Sequence, residues 1–189
     1  VMNQLLATDA ARFDSRLGCL DRLEATGLIV RSDNALSVGF SHQTVFDYVL
    51  ARTFVGANGL LATYVVERQD SLFVRSKLWS ALNYLRGAEV GSYEREFLAM
   101  WRTSSLRRHL RLLLIEFIGQ VDEPIRFEKL CMTEVMNTPA LRVLGLKAAS
   151  LGWFATLSAS VIPEAMRGSD IEAHQALRLL AAAWRVQAE

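Results

Sequence analysis

Few residues of this 189-residue chain have the types and spacing for chemistry. The first is His42, which stands between an alternating stretch that ends at Phe40 and an apolar helical pattern carrying Thr44, Asp47, Tyr48 and Ala51. An imidazole just past a strand, in the first turn of a helix, either packs its ring on the hairpin or points from the open end of its domain toward whatever packs there. A second group is Arg107, Arg108 and Arg111, which share a helix face at three- and four-residue spacing and form a candidate basic patch. Glu116, Asp122 and Glu123 follow closely, so a solvated face or inter-repeat salt bridges is the preferred reading. His109 and His174 have no Cys, His or carboxylate at ligand spacing, and no metal site is expected. Cys19 and Cys131 lie far apart in apolar helical patterns and are expected to be small core residues in a reducing cytosol.

No GxxxxGK[ST], GxGxxG, HExxH, CxxC or GxSxG occurs, so the chain carries no recognisable catalytic engine and is not expected to be an enzyme or to hold a cofactor by itself. A formal net charge of +1 gives no global field toward nucleic acid or membrane. The longest uncharged run, opening at Ala148, contains Gly152, several serines and Pro163, a composition that argues against a bilayer span. No secretory signal pattern is present at the start, and a cytoplasmic protein is expected. Arginine far outnumbers lysine, an imbalance that looks like genomic composition.

The elements that must position these residues follow from periodicity. Leu28, Ile29 and Val30 form an apolar run, Ser32, Asp33 and Asn34 a turn, and Leu36, Val38 and Phe40 alternate with small residues, which predicts a β-hairpin. Ser41 is placed to cap the helix that follows, with Val45, Phe46, Val49, Leu50 and Phe54 on its apolar face. Before the hairpin, Leu5, Leu6 and Ala7 suggest a short helix. A second helix, Arg16 to Thr26, opens at a Ser15 cap and stops at Gly27. Helix, hairpin, helix is the tail of a winged helix. Its second helix mixes Arg16 and Arg22 with Asp21 and Glu24, so it is not expected to read DNA directly.

Beyond Ala51, candidate caps at Ser71, Ser104, Thr138 and Asp170 recur 32 to 34 residues apart, each before an apolar helical run. Partner helices are expected to open at Ser92, at Asp122 with Pro124, and at the Gly152 break. Such a period marks helix pairs that must stack to bury both faces. The central helix supports this, with Leu106, Leu110, Leu113, Leu114 and Phe117 on one side and Leu112 and Ile115 on another. Trp79, Trp101, Trp153 and Trp184 fall one per pair and are expected as core anchors, unless a concave face exposes one to a partner. The last helix, with Ile171, Leu177, Leu180 and Trp184, predicts that the array continues or packs on something outside this sequence, and that the chain is a piece of a longer protein. The expected fold is therefore all-α. A partial winged helix with one hairpin (1–56) precedes a HEAT-like or tetratricopeptide-like solenoid of about four helix pairs (57–189).

Phe40, His42, Thr44, Asp47, Tyr48 and Ala51 fall on the F-x-H-x-T-x-x-[ED]-[YF]-x-x-A line, and the stretch Leu20 to Ala51 resembles the end of the winged helix of bacterial NACHT-type STAND signalling ATPases. Val45 and Phe46 depart from that family, which often has an aromatic and a glutamine there. The resemblance implies that His42 reaches the β-phosphate of ADP held by an upstream P-loop ATPase domain, with ADP or ATP and Mg bound there and not in this chain. It also implies a protein ligand on the repeats, oligomerisation on activation, and a role in signal transduction such as antiviral defence. Phe54, Leu60 and Leu61 would bolt the winged helix to the first repeat. The alternative reading is a helical-repeat interaction scaffold, or a winged-helix DNA-associated regulator, without an ATPase. Nucleic acid is not the expected partner.

Overall fold

The computed structural model describes residues 4–6, 19–31, 37–55 and 60–187, which are mostly helical. Three short strands form one antiparallel sheet: β1 (Gln4–Leu6), β2 (Ile29–Arg31) and β3 (Ser37–Phe40), in the order β1-β3-β2. The hairpin registers Ile29 with Phe40 and Arg31 with Val38. Leu5 and Leu6, expected in a helix, lie instead in β1, paired with Val38 and Ser37. A three-residue strand whose partner is some thirty residues away leaves no local period to read.

Helix α1 (Cys19–Ala25) precedes the hairpin. Gly27, at φ +72°, closes it: its N–H donates to the Glu24 carbonyl (2.8 Å) and that of Leu28 to Leu23 (2.9 Å), the paired bonds of a Schellman ending. Ile29 and Val38 are buried, with Leu20 and Phe40 packed on them. Arg31 reaches back from β2 to Asp21 and to Glu24 (3.2 Å), so hairpin and helix are also joined by charge. The expected Ser15 cap, Arg16 and Leu17, the turn Ser32 to Asn34, and Leu36 lie outside the described residues.

The chain divides into two compact units, Val1–Val65 with Ser76–Phe97, and Val66–Arg75 with Leu98–Glu189. The first contains the sheet, α2 (Gln43–Arg52), and most of α3 (Leu60–Glu67), α4 (Val74–Ala88) and α5 (Val90–Arg102). Leu61, Val65, Leu78, Leu82, Tyr93 and Phe97 are fully buried there. Of the three residues expected to bolt the hairpin region to the next helix, Phe54 and Leu61 are buried and Phe54 stacks tilted on Tyr64, but Leu60 is half exposed. A carboxylate sits in this core. Glu96 is fully buried and accepts the Ala62 N–H (3.1 Å) in the first turn of α3, supplying from another helix the cap that α3 needs.

The second unit contains α6 (Arg108–Gly119), α7 (Arg126–Asn137), α8 (Pro139–Ala148), a 3-10 turn (Leu151–Trp153), two short helices, α9 (Phe154–Leu157) and α10 (Val161–Ala165), and α11 (Asp170–Gln187). Helix α6 is buried through Leu110, Leu113, Leu114, Ile115, Phe117 and Ile118, as expected of a helix apolar on two sides. It packs against α7 and α8, and α8 packs against α11. The glycine expected to break the chain does so by close approach, since a Cβ on Gly152 would lie 1.9 Å from the Asp122 carbonyl oxygen.

The caps differ from expectation. Ser104 lies in a turn and α6 starts at Arg108; Ser92 is buried inside α5; α7 starts at Arg126, beyond Pro124. Thr138 occupies the N-cap of α8, but its hydroxyl donates to the Glu134 carbonyl (2.8 Å). Likewise Ser41 donates to the Leu28 carbonyl (3.1 Å), leaving His42 at the N-cap of α2. A hydroxyl has several backbone partners within reach, and a cap is one choice among them. Capping falls instead to Glu128, which accepts the Ile125 N–H (2.8 Å), and to Ser169 with Glu172, where the Ser169 N–H donates to the carboxylate (2.9 Å), so Asp170 is the first helical residue. Hydrogen bonds joining residues 32 to 35 apart recur through the chain, at Ala62–Glu96, Arg75–His109, Trp101–Glu134, Trp153–Ile118 and Arg178–Leu146.

Candidate functional site

His42 is the last residue before α2, with extended backbone (φ −130°, ψ 139°), and its carbonyl accepts the first N–H bonds of the helix. The side chain is exposed, does not cap the helix, and its ring makes no hydrogen bond among the described residues. Its neighbours are held. Phe40 packs on the Ile29–Val38 core and meets the Phe46 ring at 5.7 Å, and Lys77 stands over that Phe46 ring at 5.1 Å. Asp47 accepts from Gln43 (2.7 Å), Ala51 is buried, and Tyr48 sets its ring edge-on to Tyr84 at 5.2 Å. The Tyr48 hydroxyl accepts from Arg52 (3.3 Å), a bond that raises the guanidinium's already high pKa. Thr44 is exposed beside His42. Of the six residues on the motif line, four are therefore packed or paired, while His42 and Thr44 face outward at the strand-to-helix junction.

The three arginines of the candidate basic patch are all exposed and differ in what they hold. Arg107 pairs with Asp70 and its N–H donates to Gln69 (2.9 Å). Arg111 donates to the carbonyls of Thr103 (2.7 Å), Ser104 (3.3 Å) and Leu106 (3.3 Å), fastening the turn before α6. Only Arg108 of the three is exposed without such a role among the described residues. His109 is half-buried and His174 exposed, and the described residues hold no group of three or more His, Cys, Asp or Glu placed to bind a metal. Cys131 is buried as expected, and burial pushes its thiol up to about 12. Cys19 is exposed, against expectation, in a helix that has no buried residue and packs Leu20 on the hairpin core.

The tryptophans divide in the same way. Trp153 is fully buried and donates to the Ile118 carbonyl (2.8 Å), a core anchor as expected. Trp184 is 75 % exposed and is no core residue in this chain. Trp101 lines a cavity of about 300 Å³ in the second unit, one the sequence did not disclose. Leu114, Ile115, Val135 and Leu141 form its apolar wall. The Trp101 indole N–H donates to Glu134 (2.8 Å), which also lines the cavity. Arg102, Arg111 and Thr138 complete the lining. The separation of Trp101 and Glu134 by 33 residues matches the cap period, the one signal that could have paired them.

No described helix is long and apolar enough to cross a membrane. Set against protein-family models, curated proteins and solved structures, the chain matches none.

Proposed function

We propose that the chain is the regulatory and sensor segment of a STAND/NACHT-type signalling ATPase, in which helical repeats recognise a protein ligand and a winged-helix end relays that event to a nucleotide switch. The observation that carries this reading is His42: an imidazole left exposed, with no hydrogen bond to its ring among the described residues, where a strand passes into a helix and its motif neighbours are packed. The order strand, helix, hairpin, helix supports the winged-helix assignment to 1–56. Hydrogen bonds recurring at separations of 32 to 35 residues support a solenoid of helix pairs over 57–189. Pairing of Arg107 and back-bonding of Arg111 favour a protein over a nucleic acid as partner.

On this reading ADP, and ATP with Mg, bind in an upstream P-loop domain of the intact protein, and His42 donates to the diphosphate in the closed state. Release of that contact when ligand meets the repeats opens the switch and permits oligomerisation, in a role such as antiviral defence. Removing a hydrogen bond to a charged group costs about 1.5–3 kcal/mol. His42→Ala in the intact protein is therefore expected to release ADP roughly ten- to a hundredfold faster. The 189-residue chain should keep its melting temperature, because the substituted ring is exposed. Unchanged ADP release together with a sharply lowered melting temperature would make His42 a packing residue and sink the proposal.

A further inference from the structure

The cavity beside Trp101 combines an apolar interior with positive charge at its edge, and nothing in the proposed nucleotide switch uses it. Its wall comes from α6, α7 and α8 through Leu114, Ile115, Val135 and Leu141, residues that no polar ligand would satisfy. The Trp101 indole, whose N–H donates to Glu134, brings an aromatic ring to the same lining.

Three features favour an anion at the edge. Arg102 is exposed and makes no hydrogen bond or ion pair among the described residues, so its guanidinium is available. Arg111 lines the same cavity, its Nε and Nη2 spent on backbone carbonyls but its charge undiminished. Thr138, the N-cap residue of α8, lines the cavity and its hydroxyl donates to the Glu134 backbone carbonyl without capping the helix, so the positive end of the α8 dipole lies at the cavity. Against these stands one carboxylate, Glu134, whose charge is partly met by the indole N–H. Two cations and a helix N-terminus outweigh it.

We propose that this cavity is a binding site for a small planar amphipathic anion: an aromatic or alicyclic body against Trp101 and the apolar wall, and a carboxylate toward Arg102. The volume lies at the low end of small-molecule sites, which suits a one- or two-ring acid. This assignment is independent of the nucleotide-switch reading and stands or falls by itself.

The test uses the full 189-residue chain and 2-naphthoate as probe, read by the Trp101 indole N–H resonance, assigned through Trp101→Phe. Saturable movement of that resonance is expected, with a Kd on the order of 0.1–1 mM for a ligand of this size. The uncharged isostere 2-naphthamide should bind roughly five- to tenfold more weakly, the worth of one partly exposed charge-assisted contact. Arg102→Ala should erase that difference without changing the melting temperature, since the exposed side chain makes no hydrogen bond or ion pair among the described residues. Glu134→Gln keeps an acceptor for the indole and removes the opposing charge, so it should tighten naphthoate about two- to fivefold. No saturable shift at Trp101, equal binding of acid and amide, or an acid preference that survives Arg102→Ala would each overturn the proposal. So would tighter binding of a short aromatic–acidic peptide than of naphthoate, which would reassign the cavity to a protein segment.

Discussion

Cys19 and Cys131 carry the same side chain in opposite surroundings, and their chemistry should separate cleanly. Cys131 is 2 % exposed within α7, and desolvation first, then the nearby Glu134 carboxylate, raises its thiol to about 12. A thiolate is the reactive form, so at pH 8 Cys131 should resist an aromatic disulfide reagent while exposed Cys19 reacts. One thiol is expected to titrate in the native chain and two in denaturant; two in the native chain would contradict the burial. The same shift sets a pH dependence. Because the folded value lies above the ordinary 9.0, the contribution of this group to stability is complete below pH 9 and is lost as pH rises from 9 toward 12. Glu172 acts with the other sign. The Ser169 N–H first, then the Ser169 hydroxyl and Arg142, hold its carboxyl below the ordinary 4.5, so its contribution is present above that value and fades as pH falls below it. Urea midpoints should fall on both flanks, and a Cys131→Ala variant should lose the alkaline limb selectively.

At the scale of elements, arginines finish the helices of the second unit. Arg111 holds the turn after α5, Arg142 closes the end of α7 by donating to the Met136 carbonyl (2.7 Å), and Arg178 donates to the carbonyls of Leu146 (2.9 Å), Lys147 (3.1 Å) and Ala149 (3.2 Å) at the end of α8. These guanidinium groups bring N–H donors to carbonyls at helix ends, so part of the arginine content has a mechanical use beyond genomic composition. The turn after α8 depends equally on what is missing from Gly152. Its α-hydrogen faces the Asp122 carbonyl, where a methyl group has no room and the obstacle is backbone. Ser150 braces the same turn, its N–H donating to Gly119 (2.7 Å) and its hydroxyl to Val121 (2.9 Å). Gly152→Ala is expected to destabilise the chain by about 2–3 kcal/mol, the cost of forcing an extra carbon into packed surroundings. An unchanged melting temperature would mean that the turn can move away from Asp122.

For the whole molecule, what could be read in advance depended on how local its cause is. The hairpin was legible because alternation through Val38 and Phe40 and the stop at Gly27 are contiguous signals, and the two-sided burial of α6 was legible in its leucines. His42 could be placed at a strand-to-helix junction from the same local pattern. Strand β1 was not legible, nor was the cavity at Trp101, because each joins residues contributed by distant segments. The caps were misplaced for a third reason: Ser41 and Thr138 had carbonyls within reach that competed with the cap. Glu96 belongs with the distant causes, since nothing near it in sequence announces that it closes α3. It also gives the division into two compact units a test. Glu96→Ala leaves the Ala62 N–H without this acceptor in the core of the first unit and should cost about 2–4 kcal/mol, whereas Glu96→Gln, which keeps an acceptor, should cost less. If the units are separate cooperative bodies, the damage stays where it is made. Hydrogen exchange in Glu96→Ala should accelerate in the amides of α3 and of 76–97 and change little in α7, α8 and α11, while Gly152→Ala should do the reverse. Uniform acceleration in both variants would mean that the two units unfold as one.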